Sequence, residues 1–260
     1  MSEGVLDDFS TLAWILKDFC WVLQFPFLGW PAFLLSFGSE IVQLTKHWQT
    51  YCGAQRCRHL AVILWLAGSV VWMTAEFLFD EPRQGSIFPW HTQPAMGHGH
   101  EQEYDTSTTI ARNMFVAAFC VFAAGYSFGR STDARKQAAL DLEVWLGAWL
   151  LKEISWTMDL KACGMASFTL AALLLMRSFS KTGDRRHLAE LLWLVGNTMW
   201  FVDEVYLDDA YPRRRVQASC AILMGALVYS HTIYVGGPTA VDSKEAAVDA
   251  SSRLLKQIPI

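Results

Sequence analysis

Residues 59–80 read HLAVILWLAGSVVWMTAEFLFD, and residues 187–208 read HLAELLWLVGNTMWFVDEVYLD. The two stretches align without a gap and share the residue types His, Leu, Ala, Trp, Gly, Glu and Asp at matching positions. Each is about as long as a helix that spans a bilayer, which needs roughly 20 residues. A self-match of this length at a fixed separation is typical of a duplicated structural unit. The chain therefore contains two copies of one apolar helix that carries an acidic residue near its end.

A second internal match lies ahead of the first. Residues 13–21 read AWILKDFCW and residues 148–156 read AWLLKEISW, and at the same offset Gly29 matches Gly164. Because both matches occur in the same order, the chain is predicted to consist of two tandem units. We predict a first four-helix unit over 1–130, a second over 131–238 and a C-terminal tail over 239–260.

The distribution of charge predicts a membrane protein. Charged residues make up 18 % of the chain, below the roughly 25 % of a soluble domain. Five runs contain no Asp, Glu, Lys or Arg: 19–39, 59–75, 113–129, 162–176 and 216–241. Their lengths approach or exceed what a spanning helix needs, and five such runs are hard to bury in a soluble core.

These patterns predict an all-α fold: a polytopic integral membrane bundle of about eight transmembrane helices, built as two tandem four-helix repeats of the same orientation. The predicted spans are 9–25, 27–45, 59–79, 109–128, 140–159, 162–178, 187–207 and 217–236. The first and fifth each carry a central Lys-acidic pair. An alternative for these two is an amphipathic helix that lies in the membrane interface.

The positions of basic residues predict the orientation. Lys and Arg are grouped between spans two and three, four and five, and six and seven. With eight spans and a cytosolic N-terminus, these three basic connections all face the cytosol, as the positive-inside tendency requires. The C-terminus is then cytosolic as well, and residues 81–108 form an outer loop. The lipid bilayer is a predicted partner. Net charge is −4, and no basic stripe suggests a nucleic-acid partner.

Charged residues within the predicted spans are the candidate site. Each costs roughly 2.5–3.5 kcal/mol on insertion scales and is usually paired or functional. They occur at matched positions in both units, with one addition in the second: Lys17, Asp18, Glu76, Lys152, Glu153, Glu204 and the additional Asp203. We predict an interhelical ion-pair cluster of Lys17, Asp18 and Glu76, duplicated in the second unit. Adjacent side chains on a helix point about 100° apart, so Lys17 and Asp18 are not expected to face one partner together.

Tryptophans follow the same helical stripes as the charges. Trp72 precedes Glu76 by one turn, and Trp200 precedes Glu204 by the same interval. One interpretation makes these rings the walls of a cavity that binds a cation, a proton or a small polar solute. The other interpretation is that the charges only lock the helices together and the tryptophans pack or anchor the bundle.

The outer loop contains His98 and His100 beside two glutamates. A His-x-His arrangement with nearby carboxylates can bind zinc or copper, and it can equally form a solvated loop. No other cofactor is predicted.

The resulting hypothesis is a transporter or channel for a small ion or polar solute, with a site built from the duplicated carboxylates. In this hypothesis the cation or proton is taken up by four carboxylates: Asp18, Glu76, Glu153 and Glu204. Lys17 and Lys152 would compete for the same carboxylates and so act as internal counter-ions. The chain lacks the G-x-S-x-G, H-E-x-x-H, Walker and dinucleotide-binding patterns, which argues against the common enzyme classes. A membrane-embedded enzyme with Asp or Glu acid-base chemistry, and a structural or sensory membrane protein, remain the alternatives.

Overall fold

The computed structural model describes residues 3–23, 25–79, 101–129, 141, 143–207 and 212–235. Within these ranges the chain forms eight α-helices and no strand. In chain order they are α1 (Glu3–Val22), α2 (Pro26–Lys46), α3 (Gly53–Phe79), α4 (Glu101–Phe128), α5 (Trp145–Thr157), α6 (Lys161–Thr182), α7 (Arg185–Leu207) and α8 (Pro212–Val235). The all-helical class and the number of helices agree with the prediction. The predicted C-terminal tail 239–260 lies outside the described residues.

The helix α4 begins earlier than its predicted span. Residues 101–108, predicted as the end of the outer loop, are the first turns of α4. The hydroxyls of Thr106 and Thr108 donate to the carbonyl oxygens four residues earlier, at 2.7 and 2.9 Å. Polar residues can therefore continue a helix here, because their hydroxyls bond to the helix itself. The remaining part of that loop, 81–100, lies outside the described residues.

Other helix ends follow from local sequence. Proline is the first residue of α2, where its missing N–H costs no hydrogen bond, and Phe25 before it leaves the helical region with φ −111°. α6 stops at Gly183, whose φ of +67° is a left-handed conformation that glycine adopts without strain. Asp184 then caps α7: its Oδ1 accepts the Arg186 backbone N–H at 2.9 Å.

The eight helices form a closed ring in which each packs against its neighbours in the chain and α8 packs against α1. The even-numbered helices turn apolar side chains outward, among them Phe27, Leu34, Leu173 and Leu227. Five helical segments are long and apolar enough to cross a membrane: Pro26–Lys46, Gly53–Leu78, Gln102–Phe128, Lys161–Thr182 and Arg215–Tyr234. An apolar exterior with these segments is consistent with an integral membrane protein.

The helices α1 and α5 lie in the middle of the bundle. Ten of the thirteen residues of α5 are buried, including both Lys152 and Glu153. Lys17 and Asp18 of α1 are likewise buried. An interfacial amphipathic helix keeps one polar face in water. These charges therefore lie inside the bundle and not on a water-facing surface of either helix.

Glycines let α3 and α7 approach the outer helices closely. A Cβ at Gly68 would lie 2.7 Å from the Phe115 ring of α4. A Cβ at Gly196 would lie 2.7 Å from the Ala218 carbonyl oxygen of α8. Small residues at such crossings allow backbone-to-backbone packing, as in many membrane helix pairs. Gly68 and Gly196 therefore each admit a neighbouring helix at close range.

We expect Gly196→Ala to lower the free energy of unfolding by about 1–3 kcal/mol, because the new methyl group must push the α8 backbone away. Gly38→Ala in α2 is the matched control, since a Cβ there meets nothing within 4 Å. That control is expected to be neutral or to stabilise by up to about 1 kcal/mol through helix propensity. Thermal unfolding of both variants in detergent measures the difference, and equal stabilities would contradict the close α7–α8 packing.

Candidate functional site

Four tryptophans, one from each odd-numbered helix, meet in the centre of the bundle. Trp14 contacts Trp65 and Trp193 with ring centroids 5.4 and 5.8 Å apart. Trp149 lies 6.3 Å from Trp65 and 4.3 Å from Trp193, which closes the circuit. All four side chains are buried. We call Trp14, Trp65, Trp149 and Trp193 the N-terminal tryptophan ring.

A second circuit of four tryptophans lies seven residues further along the same helices. Trp21 contacts Trp72 and Trp200 at 5.4 and 5.1 Å, and Trp156 contacts the same two rings at 5.2 and 5.0 Å. Every contact is edge-to-face, the favoured geometry for aromatic pairs. We call Trp21, Trp72, Trp156 and Trp200 the C-terminal tryptophan ring.

The two rings fix the direction of the central helices. Each of α1, α3, α5 and α7 contributes one tryptophan to each ring, in the same order along the chain. These four helices therefore run parallel. Seven residues of helix rise about 10 Å, so the rings form two levels about that far apart.

Two lysine–carboxylate pairs occupy the space between the rings. Lys17 pairs with Asp18, and Lys152 Nζ lies 3.0 Å from Glu153 Oε1. Both ammonium groups also face indole rings: Lys17 lies 5.0 Å from Trp21, and Lys152 lies 3.7 Å from the centroid of Trp149. Such cation–π contacts stabilise a cation that has lost water. The two lysines are fully buried.

The pairing corrects one expectation from the sequence. An interhelical ion-pair cluster was predicted, yet each lysine pairs with the adjacent carboxylate of its own helix: Lys17 with Asp18, and Lys152 with Glu153. The backbone directions do differ by about 100°. The long lysine stem nevertheless lets the ammonium group fold back to its neighbour's carboxylate.

Indole N–H groups link the carboxylates to other helices. Trp193 Nε1 donates to Asp18 Oδ2 at 2.9 Å, which joins α7 to α1. Trp21 Nε1 donates to Glu76 Oε2 at 2.7 Å, which joins α1 to α3. Glu76 therefore belongs to the level of the C-terminal ring, beyond the two lysines. The predicted single cluster of Lys17, Asp18 and Glu76 is divided between two levels.

Two acidic residues of α7 lie at the level of Glu76, because Glu204 follows Trp200 at the interval by which Glu76 follows Trp72 and Asp203 immediately precedes Glu204. Asp203 is fully buried and Glu204 is half-buried, about one helical turn after Trp200. Together the central helices bring five carboxylates and two ammonium groups into the core: Asp18, Glu76, Glu153, Asp203, Glu204, Lys17 and Lys152. The formal charge of this set is negative, which favours uptake of protons or cations over anions.

Most of the ring tryptophans have an indole N–H group that finds no acceptor in the described part of the chain. Within the described residues, the indole N–H groups of six ring members have no acceptor: Trp14, Trp65, Trp72, Trp149, Trp156 and Trp200. A buried donor without an acceptor costs about 1–3 kcal/mol. These groups are therefore available to water or to a polar solute, which would offset that cost.

A cavity of about 210 Å³ opens at the N-terminal ends of the central helices. Trp14 and Trp145 contribute apolar surface to its lining. Charged side chains of both signs complete it, among them Arg58, Glu143 and Arg186. We call this cavity the vestibule. Trp14 lines the vestibule and also belongs to the N-terminal tryptophan ring. The vestibule therefore adjoins that ring.

A further buried polar cluster was not predicted from the sequence. Glu40 of α2 lies 2.7 Å from His59 Nδ1 and accepts the Ser10 hydroxyl at 2.8 Å. Tyr51 stacks on His59 with ring centroids 4.9 Å apart. The signal available in the sequence was weak, because Glu40 stands just after the uncharged run 19–39 and resembles a residue of the helix end.

Within the described ranges, no group of three or more His, Cys, Asp or Glu side chains could hold a metal ion. The predicted zinc or copper ligands His98 and His100 lie outside those ranges. That prediction stays open.

Comparison with known protein families, curated proteins and solved structures finds no match to this chain. The class that the fold and site define is therefore a helical bundle consistent with a membrane protein, with buried charges between two tryptophan rings.

Proposed function

We propose that this protein is a membrane transporter or channel for a proton or small cation, with its path along the axis of the four central helices. The observation that carries the proposal is the stack of vestibule, N-terminal ring, lysine–carboxylate pairs and C-terminal ring. Carboxylates outnumber lysines in that stack, so a cation is favoured. The tryptophan faces would stabilise a cation that sheds part of its water.

In this proposal the chain is two tandem four-helix repeats, and all eight helices cross the bilayer with both termini in the cytosol. Three matches support the repeats: each half supplies two tryptophans to each ring, one lysine–carboxylate pair to the core, and one glutamate to the level of the C-terminal ring. Repeats of the same orientation are related by an axis along the membrane normal. The path would follow that axis.

The roles of the charged residues follow from their positions. Glu76, Glu204 and Asp203 would bind the cation or proton at the C-terminal ring. Lys17 and Lys152 would compete for Asp18 and Glu153, and so act as counter-ions when no cation is present. The indole N–H groups without a protein acceptor would donate hydrogen bonds to water oxygens along the path, since a buried donor needs an acceptor.

The first test is flux through the purified protein in liposomes. Under an imposed gradient, we expect H⁺, Na⁺ or K⁺ to cross faster than in protein-free liposomes, measured with a pH-sensitive dye for H⁺ and with tracer uptake for the metals. Absence of flux for all three ions, in liposomes that contain folded protein, would overturn the proposal.

The second test asks whether water reaches the core. Ser69 is buried and lies on the α3 stripe between Trp65 and Trp72. In a cysteine-free background, Ser69→Cys is expected to react with a hydrophilic thiol reagent. Ser219→Cys, buried on α8 outside the rings, is the matched control and is expected to stay unreactive.

A structural or sensory membrane protein is the second candidate. The observation that favours it is the close packing of the C-terminal ring, whose four contacts all lie between 5.0 and 5.4 Å. A sealed ring would keep both cysteines unreactive. That outcome in a folded protein would favour this candidate over transport.

A further inference from the structure

Two ion pairs cross the bundle at the vestibule. Arg58 Nε lies 2.6 Å from Glu143 Oε2, and Arg186 Nη2 lies 3.1 Å from Asp8 Oδ2. The second pair joins residues 178 positions apart in the chain. The first joins α3 to the segment just before α5, and the second joins α7 to α1. Each therefore connects the first half of the chain to the second.

The two pairs occupy matching positions in the sequence. Arg58 precedes His59 as Arg186 precedes His187. Asp8 lies six residues before Trp14, and Glu143 lies six residues before Trp149. The pairs therefore match each other under the same alignment that matches the tryptophan rings. We call Asp8–Arg186 and Glu143–Arg58 the bridge pairs.

Neighbouring groups hold the bridge pairs in place. The Tyr229 hydroxyl of α8 donates to Asp8 Oδ1 at 3.3 Å. Arg58 Nη1 lies 3.4 Å from His59 Nδ1, the same nitrogen that contacts Glu40. Arg58 thus connects the vestibule to the buried Glu40–His59 cluster. Both bridge pairs are only partly buried, with side-chain exposures of 14 and 35 % in one and 32 and 9 % in the other.

We infer that the bridge pairs are a gate that closes the vestibule by fastening the two halves of the chain together, and that both must separate before a solute reaches the N-terminal ring. This inference rests on the proposed transport function. The partial exposure of Glu143 and Arg186 suits a gate, because ion pairs that water can reach contribute only modestly and can break reversibly. Two pairs acting together hold the closed state more firmly than either alone.

If the bridge pairs close the vestibule, breaking them should make the residues that line it more accessible to a water-soluble reagent. Thr11 lines the vestibule and is buried, so a cysteine there reports its opening. In a cysteine-free Thr11→Cys background, we measure the rate of reaction with a hydrophilic thiol reagent. Asp8→Asn or Glu143→Gln alone is expected to raise the rate by up to about fivefold. Both together are expected to raise it by up to about 25-fold if the pairs act independently.

Charge exchange tests the pairing itself. Asp8→Arg alone is expected to react fast, because it places two cations side by side. Asp8→Arg combined with Arg186→Asp restores an ion pair and is expected to return the rate to that of the Thr11→Cys parent. This comparison carries the test even if a neutral variant folds poorly, because the exchanged pair retains both charges.

Glu190→Gln is the matched control. His187 and Glu190 form an ion pair at 3.0 Å that also lines the vestibule, and this pair lies within α7. We expect this variant to leave the Thr11→Cys rate unchanged. An unchanged rate in the folded Asp8→Asn/Glu143→Gln variant would overturn the gate and leave the transport proposal standing. If the Thr11→Cys rate rises in the Asp8→Asn/Glu143→Gln variant but the protein shows no ion flux in liposomes, the transport proposal is overturned. The bridge pairs then remain a conformational contact.

Discussion

Lys17→Met is expected to lower the free energy of unfolding by about 3–5 kcal/mol, because it leaves the Asp18 carboxylate buried without its counter-ion. Asp18 is 3 % exposed and pairs with Lys17, so removal of the ammonium group leaves a buried negative charge without the cation that pairs with it. Lys152→Met is expected to act in the same way on Glu153. The loss is measured as a lower unfolding midpoint in detergent and a lower yield of monodisperse protein.

A double variant separates the charge from the packing. Lys17→Met/Asp18→Asn removes both charges and retains an oxygen that can accept the Trp193 indole N–H, now bonded to Asp18 at 2.9 Å. We expect it to recover most of the lost stability, since neutral partners of similar shape need no counter-ion. Lys181→Met, at an exposed position of α6, is the control and should change stability by less than about 0.5 kcal/mol. If Lys17→Met proves as stable as that control, the buried pair does not hold the core together.

Glu76→Gln and Glu204→Gln are each expected to abolish ion flux while leaving folded protein in the membrane. An amide cannot carry a proton or neutralise a cation, so the proposed site loses its charge. The glutamine at position 76 retains an oxygen for the Trp21 indole N–H, which donates to Glu76 at 2.7 Å. The packing of the C-terminal ring is therefore preserved. Flux in liposomes, normalised to the amount of folded protein, is the measurement.

Glu103→Gln is the control for this pair. It makes the same chemical change at an exposed position of α4, away from the tryptophan rings, and should transport at the rate of the unaltered protein. Retained flux in both Glu76→Gln and Glu204→Gln would show that these carboxylates are not the transport site. Loss of folded protein in both would instead assign the charges a structural role.

Several features of this protein could be determined from its sequence. Each of the five helices that are apolar enough to cross a membrane contains most of one uncharged run, although run 19–39 begins in α1 and includes the break before α2. These helices could be predicted from local composition, because an uncharged apolar run of about this length favours a spanning helix. The spacing of Trp65 to Trp72 and of Trp193 to Trp200 likewise placed two tryptophans on one face of a helix, because helical geometry is local.

Three features were decided by the tertiary structure alone. Which tryptophans meet in each ring depends on the parallel packing of helices that are far apart in the chain. The Asp8–Arg186 pair joins residues 178 positions apart, and no local pattern connects them. Glu40 finds His59 and Ser10 only because α1, α2 and α3 come together.

The pairing of Lys17 with Asp18 shows why the sequence can place a residue on a helix but cannot predict which side chain it contacts. The sequence placed both charges in the first predicted span and left an interfacial helix as the alternative. It could not determine the partner, because a lysine side chain spans several ångströms and its rotamer is chosen by the neighbours that pack around it. Periodicity determines which face a residue occupies, and the approach of distant helices determines what that face meets.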